Sequence, residues 1–143
     1  DGVLKSYLYD SYTAGKDKVK STGNRSRDSF KNPGMINTTN LYVEPGDIKV
    51  ESLFAGIKKG FYLRDAIGLH AGIDSTSGDF SIPATGFMVE GGEITHPVQG
   101  ISIGGNLFEL LASIDNIADD LTWHDTIACP TFSVSSILIG GSS

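Results

Sequence analysis

GFMVEGGEITHPV, residues 86–98, contains the strongest local folding signal of the chain. It consists of two extended arms that meet at Gly91-Gly92. Glycine readily adopts the positive φ angles that a two-residue hairpin turn requires, so this pair predicts a tight turn between two antiparallel strands. The centre of the chain is therefore expected to be a β-hairpin, with the other elements arranged around it.

Other segments with strand character lie on both sides of this hairpin. VLKSYLY at 3–9 alternates apolar and polar residues at period two, and TNLYVEPG at 39–46 predicts a short strand closed by a Pro-Gly turn. We also predict strands at 61–72 and 131–141. The polar tract 13–34 is expected to be a long loop.

Two segments show helical spacing instead. The first begins at Asp47 and ends before Gly60, with lysines in its last turn and an apolar set at Val50, Leu53, Phe54 and Ile57. The second begins with a capping-box spacing of Asn106 and Glu109 and is expected to end near Ala118. Its apolar face would comprise Leu107, Leu110, Leu111, Ile114 and Ile117. Because strands outnumber helices and no βαβ repeat is visible, we predict an α+β fold. Its sheet would be β-rich, largely antiparallel and barrel-like, with two amphipathic helices.

Length and composition set further bounds on the protein. A chain of 143 residues with 39% hydrophobic residues suits one domain, 1–143. No apolar run approaches the roughly 20 residues of a membrane span, so we expect no membrane association. The chain begins DGVLKSY, without an initiator Met or a visible secretory signal, so we expect a fragment of a larger protein. The single cysteine, Cys129, excludes an intrachain disulfide and favours the cytoplasm.

The charge is unevenly distributed along the chain. The formal net charge is -6, yet residues 1–31 hold seven of the eleven Lys and Arg against four Asp. This basic segment could meet nucleic acid or an acidic peptide, or it could be a solvated loop. Because the whole domain is acidic, direct nucleic-acid binding is not expected.

Several familiar catalytic patterns are missing from the sequence. The three histidines are followed by Ala, Pro and Asp, so no helix pairs two of them around a glutamate. GIDSTSG at 72–78 does not match a nucleophile elbow, and IGGN at 103–106 lacks the Gly-Lys-Ser/Thr of a phosphate loop. Asn106 then serves as a helix cap, although a helix N-terminus can also bind an anion. We predict no catalytic residue and no metal site within this chain.

The segment GLHAGIDSTSGDFS, residues 68–81, concentrates polar groups between apolar runs. Asp74 and Asp79 could orient the imidazole of His70 or accept a proton from it. Aspartates beside Gly and Ser are also what tight turns use, because their side chains bind the local backbone. Both interpretations stay open, as do a structural thiol and a metal ligand for Cys129.

Five strings, in consistent order, together resemble the C-terminal domain of the TldD/PmbA family, whose members are also called modulators of DNA gyrase or peptide maturation proteins. They are STGN (21–24), TNLYVEPGD (39–47), GLHAGIDSTSGDFS (68–81), GFMVEGGEITHPVQGISIGGNLFELLASI (86–114) and SSILIGG (135–141). The resemblance implies a two-domain cytoplasmic protein. TldD-type subunits resemble zinc metallopeptidases that carry an H-E-x-x-x-H helix upstream of this region and take a cysteine of the C-terminal domain as a further ligand.

PmbA-type subunits, also called TldE, lack the zinc helix and pair with TldD to trim small or unfolded peptides. The form of the strings resembles the PmbA side. In this chain Cys129 lies directly before Pro130 instead of in the Cys-Gly segment of TldD, which weakens its case as a zinc ligand. The resemblance therefore implies a chain that is not catalytic alone and holds no cofactor, with zinc in a TldD-type partner or parent.

By the same resemblance, the segment 68–81 would line the substrate cavity or the subunit interface. The candidate residues for contact with a peptide or a partner are His70, Ser77, Gly78, Asp79 and Ser81. The expected partners are a TldD-type subunit or a second copy, and a peptide substrate. The alternatives are a regulatory binding module that acts on DNA gyrase and a purely structural dimerisation domain.

Overall fold

The computed structural model describes residues 3–141. Within that range the helices are α1 (Ser11–Asp17), α2 (Val50–Ala55), α3 (Leu69–Gly72) and α4 (Leu107–Ala112). The strands are β1 (Arg25–Ser26), β2 (Met35–Ile36), β3 (Leu41–Tyr42), β4 (Lys59–Ala66), β5 (Asp79–Glu90), β6 (Glu93–Asn106), β7 (Ile114–Ile117), β8 (Thr122–His124), β9 (Ile127–Cys129), β10 (Phe132–Val134) and β11 (Leu138–Gly140).

These strands form four separate sheets. The largest has the order β11-β6-β5-β4 and is antiparallel throughout, and the pairs β1-β2 and β7-β10 are antiparallel as well. In the sheet β3-β9-β8, β3 runs parallel to β9. The α+β, largely antiparallel prediction is confirmed, and none of the sheets in residues 3–141 closes into a barrel. All helices of this range are too short or too polar to span a membrane.

The chain divides into two compact units. The first contains residues up to Val43 together with Trp123–Ala128, and the second contains Glu44–Thr122 together with the residues from Cys129 onward. The prediction of one folding domain over 1–143 stays a prediction.

In the first unit, Asp10 organises the region that was expected to be a strand and a loop. Its carboxylate accepts from the Thr13 backbone N–H at 2.7 Å, and the Asp10 N–H is bonded to Thr13 Oγ1 at 3.2 Å, which forms a capping box at the start of α1. Arg25 Nη1 lies 2.6 Å from the second carboxylate oxygen. Hydrogen bonds from the Thr13 backbone and hydroxyl, followed by the contact with Arg25, lower the pKa of Asp10.

The strand predicted at 3–9 is wrong, because these residues belong to neither a helix nor a strand. Val3, Leu4 and Tyr7 are more than half exposed, so the alternation does not correspond to a buried face. The loop predicted at 13–34 is wrong in part, since α1 and the short β1-β2 ladder occupy some of it.

In the second unit, the predicted hairpin is confirmed. β5 and β6 are joined by Gly91 and Gly92, whose φ angles are +59° and +89°. Alternate residues of β5 face inward, so that Phe80, Ile82 and Ala84 pack with Ile103 of β6 in a buried cluster. This cluster supports the strand ends that carry the candidate site.

The predicted helices exist but are shorter. α2 ends at Ala55, and Lys59 already lies in β4. α4 ends at Ala112, because Ile114–Ile117 pairs with β10 instead of continuing the helix. Two β-branched residues in this segment suit a strand, and the tertiary pairing outweighs their helical spacing.

Two predicted strands are also divided. Residues 61–72 form β4 only as far as Ala66, because Gly68 adopts a left-handed conformation with φ +74° and leads into the helical turn α3. The strand predicted at 131–141 is two strands, β10 and β11, which belong to different sheets.

Candidate functional site

The segment 68–81 folds as a hydrogen-bonded turn that begins with α3 and ends in β5. Asp74 Oδ1 accepts from the backbone N–H of Thr76 at 2.7 Å and of Ser77 at 3.1 Å. The Gly78 N–H donates to the Asp74 carbonyl at 2.8 Å. The two bonds to the carboxylate, from Thr76 first and then from Ser77, lower the pKa of Asp74. The carboxylate of Asp74 is thus committed to its own turn.

Asn106, the last residue of β6, fastens this turn to α4. Its Nδ2 donates to the Ser77 carbonyl at 2.9 Å and to Asp79 Oδ1 at 2.8 Å. Its Oδ1 accepts from the Phe108 N–H at 3.0 Å, which confirms the predicted helix cap. The next amide, Leu107 N–H, donates to the Gly78 carbonyl at 2.8 Å. Two N–H groups at the start of α4 are therefore occupied by protein acceptors.

Gly78 is required at the tip of the turn for two reasons. Its φ of +82° lies in the left-handed region, and a Cβ added there would lie 2.9 Å from Cε2 of Phe108. The ring of Phe108 therefore closes over the position where other residues would carry a side chain. The positive φ favours glycine at residue 78, and an added Cβ would also displace the exposed ring of Phe108.

The structure places the predicted site residues in different local settings. Ser77 Oγ accepts from the Asp79 N–H at 3.2 Å, and the Asp79 carboxylate accepts from Asn106. Ser81 is exposed on β5, paired with Gly104 of β6. His70 is exposed on α3. Contact of these residues with a peptide or a partner stays a prediction.

No hydrogen bond of the described chain joins His70 to Asp74 or Asp79, whose carboxylates instead bind the Thr76 and Ser77 amides and Asn106. The geometry therefore favours the tight-turn interpretation of the two aspartates. The contribution of Asn106 to this turn was missed in the sequence, where its only visible signal was the cap spacing. The residues that it joins are more than 25 positions apart.

Cys129 is a free, exposed thiol at the end of β9. Its Sγ lies 3.3 Å from the Pro130 carbonyl, and desolvation followed by the nearby Asp120 raises its pKa. Asp120 accepts from both the N–H and the hydroxyl of Thr131, at 2.8 Å and 2.7 Å. Desolvation raises the pKa of Asp120, but these bonds together outweigh it, so the pKa is lowered.

The arrangement of the donor groups does not favour a metal site within the described residues. Zinc sites in proteins use three or four nitrogen, sulfur or carboxylate ligands that converge on one point. Within residues 3–141, no three side chains of His, Cys, Asp or Glu converge in this way. The described residues therefore do not form a zinc site by themselves, and Cys129 would need ligands from elsewhere.

A cleft lies beside the same strand ends, between α4 and the segment that leads into β11. Its volume is about 230 Å³. Its lining is mostly apolar, with two glycines, two serine hydroxyls and one carboxylate, and comprises Phe80, Gly104, Gly105, Asn106, Glu109, Leu110, Ser113, Ser136, Ile137 and Leu138.

Comparison with known proteins gives the family. The family model described as "PmbA/TldA metallopeptidase C-terminal domain" matches residues 1–141. A zinc metalloprotease TldD homolog from Saccharolobus solfataricus is 36% identical over 121 residues, which are 84% of this chain and 27% of that protein.

Solved structures agree with this assignment. A proposed modulator of a DNA gyrase from Thermotoga maritima superposes with a TM-score of 0.88 and 34% identity, over 96% of this chain and 31% of its own. TldE from Thermococcus kodakarensis superposes with a TM-score of 0.83 and 26% identity, over 96% of this chain and 32% of its own. The chain thus spans about 30% of the length of such relatives. Because the family model matches nearly the whole chain, the chain belongs to the PmbA/TldD metallopeptidase family and corresponds to its C-terminal domain.

Proposed function

We propose that this chain is the C-terminal domain of a PmbA/TldE-like subunit of a cytoplasmic metallopeptidase that processes small unfolded peptides. In this proposal the domain shapes the substrate cavity and the subunit interface, and a TldD-type partner or parent supplies the zinc. The partner, the peptide substrate and the zinc all belong to the proposal. The similarity to TldE over 96% of this chain supports a subunit of this type, and the 36% identity to a TldD homolog makes a TldD-type parent the alternative.

The observation that carries the scaffolding role is the set of bonds around Asn106. Ser77, Gly78 and Asp79 are held by bonds to Asn106 and Leu107. Groups fixed in this way are suited to presenting a rigid surface, since their polar atoms are already partnered. Ser81 and His70 remain exposed beside that rigid turn and are available for contact with a peptide or a partner.

The proposal is tested by co-purifying the full-length parent with a TldD-type subunit and measuring peptide cleavage and zinc content. We expect zinc and cleavage in the assembly, and neither in this chain alone. Replacing His70 and Ser81 by Ala should weaken cleavage or assembly while leaving the turn folded. The same pair of changes at exposed Ser52 and His124 serves as the control. Unchanged assembly and turnover in the His70/Ser81 variant would remove these residues from the cavity and the interface.

A regulatory role on DNA gyrase is the second candidate, and it is favoured by the name of the Thermotoga relative. The basic residues of the first unit, including Lys16, Lys18 and Lys20, would be the contact surface for DNA. Salt-sensitive binding of duplex DNA by this chain, lost when these lysines become Gln, would favour this candidate over the peptidase.

A further inference from the structure

The cleft beside α4 combines an apolar wall with one acidic group at its edge. Leu110, Ile137 and Leu138 contribute aliphatic side chains, and Glu109 contributes a carboxylate. Of the three β6 residues in the lining, Gly104 and Gly105 carry no side chain, and Asn106 carries an amide that is bonded to Ser77 and Asp79. Among side chains, this combination fits one that is aliphatic along its stem and positively charged at its tip.

The cleft opens where the sheet loses a strand. β11 pairs with β6 only from Ser102 to Gly104, and Gly105 and Asn106 lie beyond the end of that ladder while still paired with β5. The Ser135 N–H donates to the Ser113 carbonyl, and Ser136, Ile137 and Leu138 form one side of the cleft. The opening is therefore part of the sheet topology.

The charge of Glu109 is available to a ligand. The described residues form two ion pairs, Arg25–Asp10 and Lys49–Asp119, and neither includes Glu109. The cleft lining contains no Lys or Arg. The second unit, which holds the cleft, carries twelve of the seventeen Asp and Glu but only four of the eleven Lys and Arg. The surroundings of the cleft thus favour a cation.

We infer that this cleft is a subsite for a Lys or Arg side chain of a bound peptide, with the aliphatic stem against Leu110, Ile137 and Leu138 and the charged group at Glu109. The inference rests on the proposed function for the source of the peptide. It goes further by naming the class of residue that this domain selects.

The test is direct binding to the 143-residue chain. The probe is an Ala-Ala-Lys-Ala-Ala amide with the fluorophore on its N-terminal amine, and the matched peptide, labelled in the same way, carries norleucine, which keeps the stem and lacks the charge. Exposed ion pairs contribute up to about 1 kcal/mol, so we expect roughly fivefold tighter binding of the lysine peptide at low salt, measured by fluorescence anisotropy. Glu109→Gln should abolish this preference, and Glu93→Gln, at the other end of β6, should leave it intact.

A second variant tests the apolar part of the cleft. A Cβ at residue 105 would lie 3.4 Å from the Phe80 ring, an ordinary contact, so Gly105→Ala narrows the cleft with little strain. We expect it to weaken binding of both peptides while the preference for lysine remains. A wild-type chain that binds neither peptide, binds both equally, or keeps its preference in Glu109→Gln would overturn the inference. Absence of cleavage by the full assembly together with an intact lysine preference would refute the proposed function and leave the subsite standing.

Discussion

Replacing Asn106 by Ala is the most informative perturbation of this fold, because one side chain joins a turn, a strand end and a helix. The substitution removes two donated hydrogen bonds and the acceptor that caps α4. Loss of a cap costs about 1 kcal/mol, and each further hydrogen bond contributes about 1 kcal/mol net, less where water can replace it. We expect the free energy of unfolding to fall by roughly 2 kcal/mol, which is large against the 5–15 kcal/mol typical of domains.

Two matched variants separate the contributions of Asn106. Asn106→Asp keeps the cap acceptor but loses the amide donor and places a second carboxylate beside Asp79, so at neutral pH it should be at least as destabilising as the alanine variant. Part of that loss should be recovered below about pH 4, where carboxylates become protonated. Asn116→Ala removes only a contact of 3.4 Å to Ser133 and serves as the control.

The assay is urea unfolding followed by far-UV circular dichroism, with amide exchange of residues 76–79 as a local probe. Faster exchange confined to the turn would indicate local release of this segment. An Asn106→Ala variant within about 0.5 kcal/mol of wild type, and no different from Asn116→Ala, would refute the role assigned to Asn106.

Further predictions concern packing, pH and thiol reactivity. Gly86→Ala should be strongly destabilising in thermal melts, because its Cβ would lie 2.0 Å from a backbone oxygen of β4. Gly15→Ala has open space around its Cβ in helix α1 and should be neutral or stabilise the chain by about 0.5–1 kcal/mol. Equal melting temperatures of the two variants would contradict the packing at Gly86. The pKa of Asp10 is lowered in the folded chain, so its stabilising contribution should be complete above the unfolded pKa of 3.8 and should be lost as the pH falls through the folded-state pKa. Asp10→Asn should therefore destabilise the chain at pH 7 and converge with wild type in acid unfolding near pH 2. Desolvation raises the pKa of Cys129 and Asp120 raises it further, so Asp120→Asn should modestly speed iodoacetamide labelling at pH 8; an unchanged rate would argue against the electrostatic effect of Asp120.

Elements specified by neighbouring residues were predicted well. The hairpin at Gly91-Gly92 was predicted because both turn residues adopt positive φ, and the caps at Asn106 and Asp10 are equally local. Only the first of these caps was predicted, since the Asp10-Thr13 box has no Glu or Gln at its third position to reveal it. Element types near such signals follow from backbone chemistry alone.

Element lengths depended on distant partners. Ile114 and Ile117 have helical spacing with α4, yet they pair with Val134 and Phe132 of β10, 20 and 15 residues further along the chain. Residues 3–9 alternate like a strand but have no ladder partner among the described residues. Periodicity reports which residues can share a face, and only tertiary pairing decides whether a strand or a helix uses that face.

Local residue patterns are sufficient to predict the α+β class, the central hairpin, the cap at Asn106, the separation of basic and acidic segments and, through the strings of residues, the family. The use of the segment 68–81 depends on the folded chain, because its partner Asn106 lies 27 positions beyond Asp79. The folded chain likewise decides that Glu109 lies beside an apolar cleft instead of merely favouring a helix start. The physical reason is the same in both cases: a side-chain hydrogen bond or a cleft is formed by groups that the fold brings together, and local chemistry does not specify that arrangement.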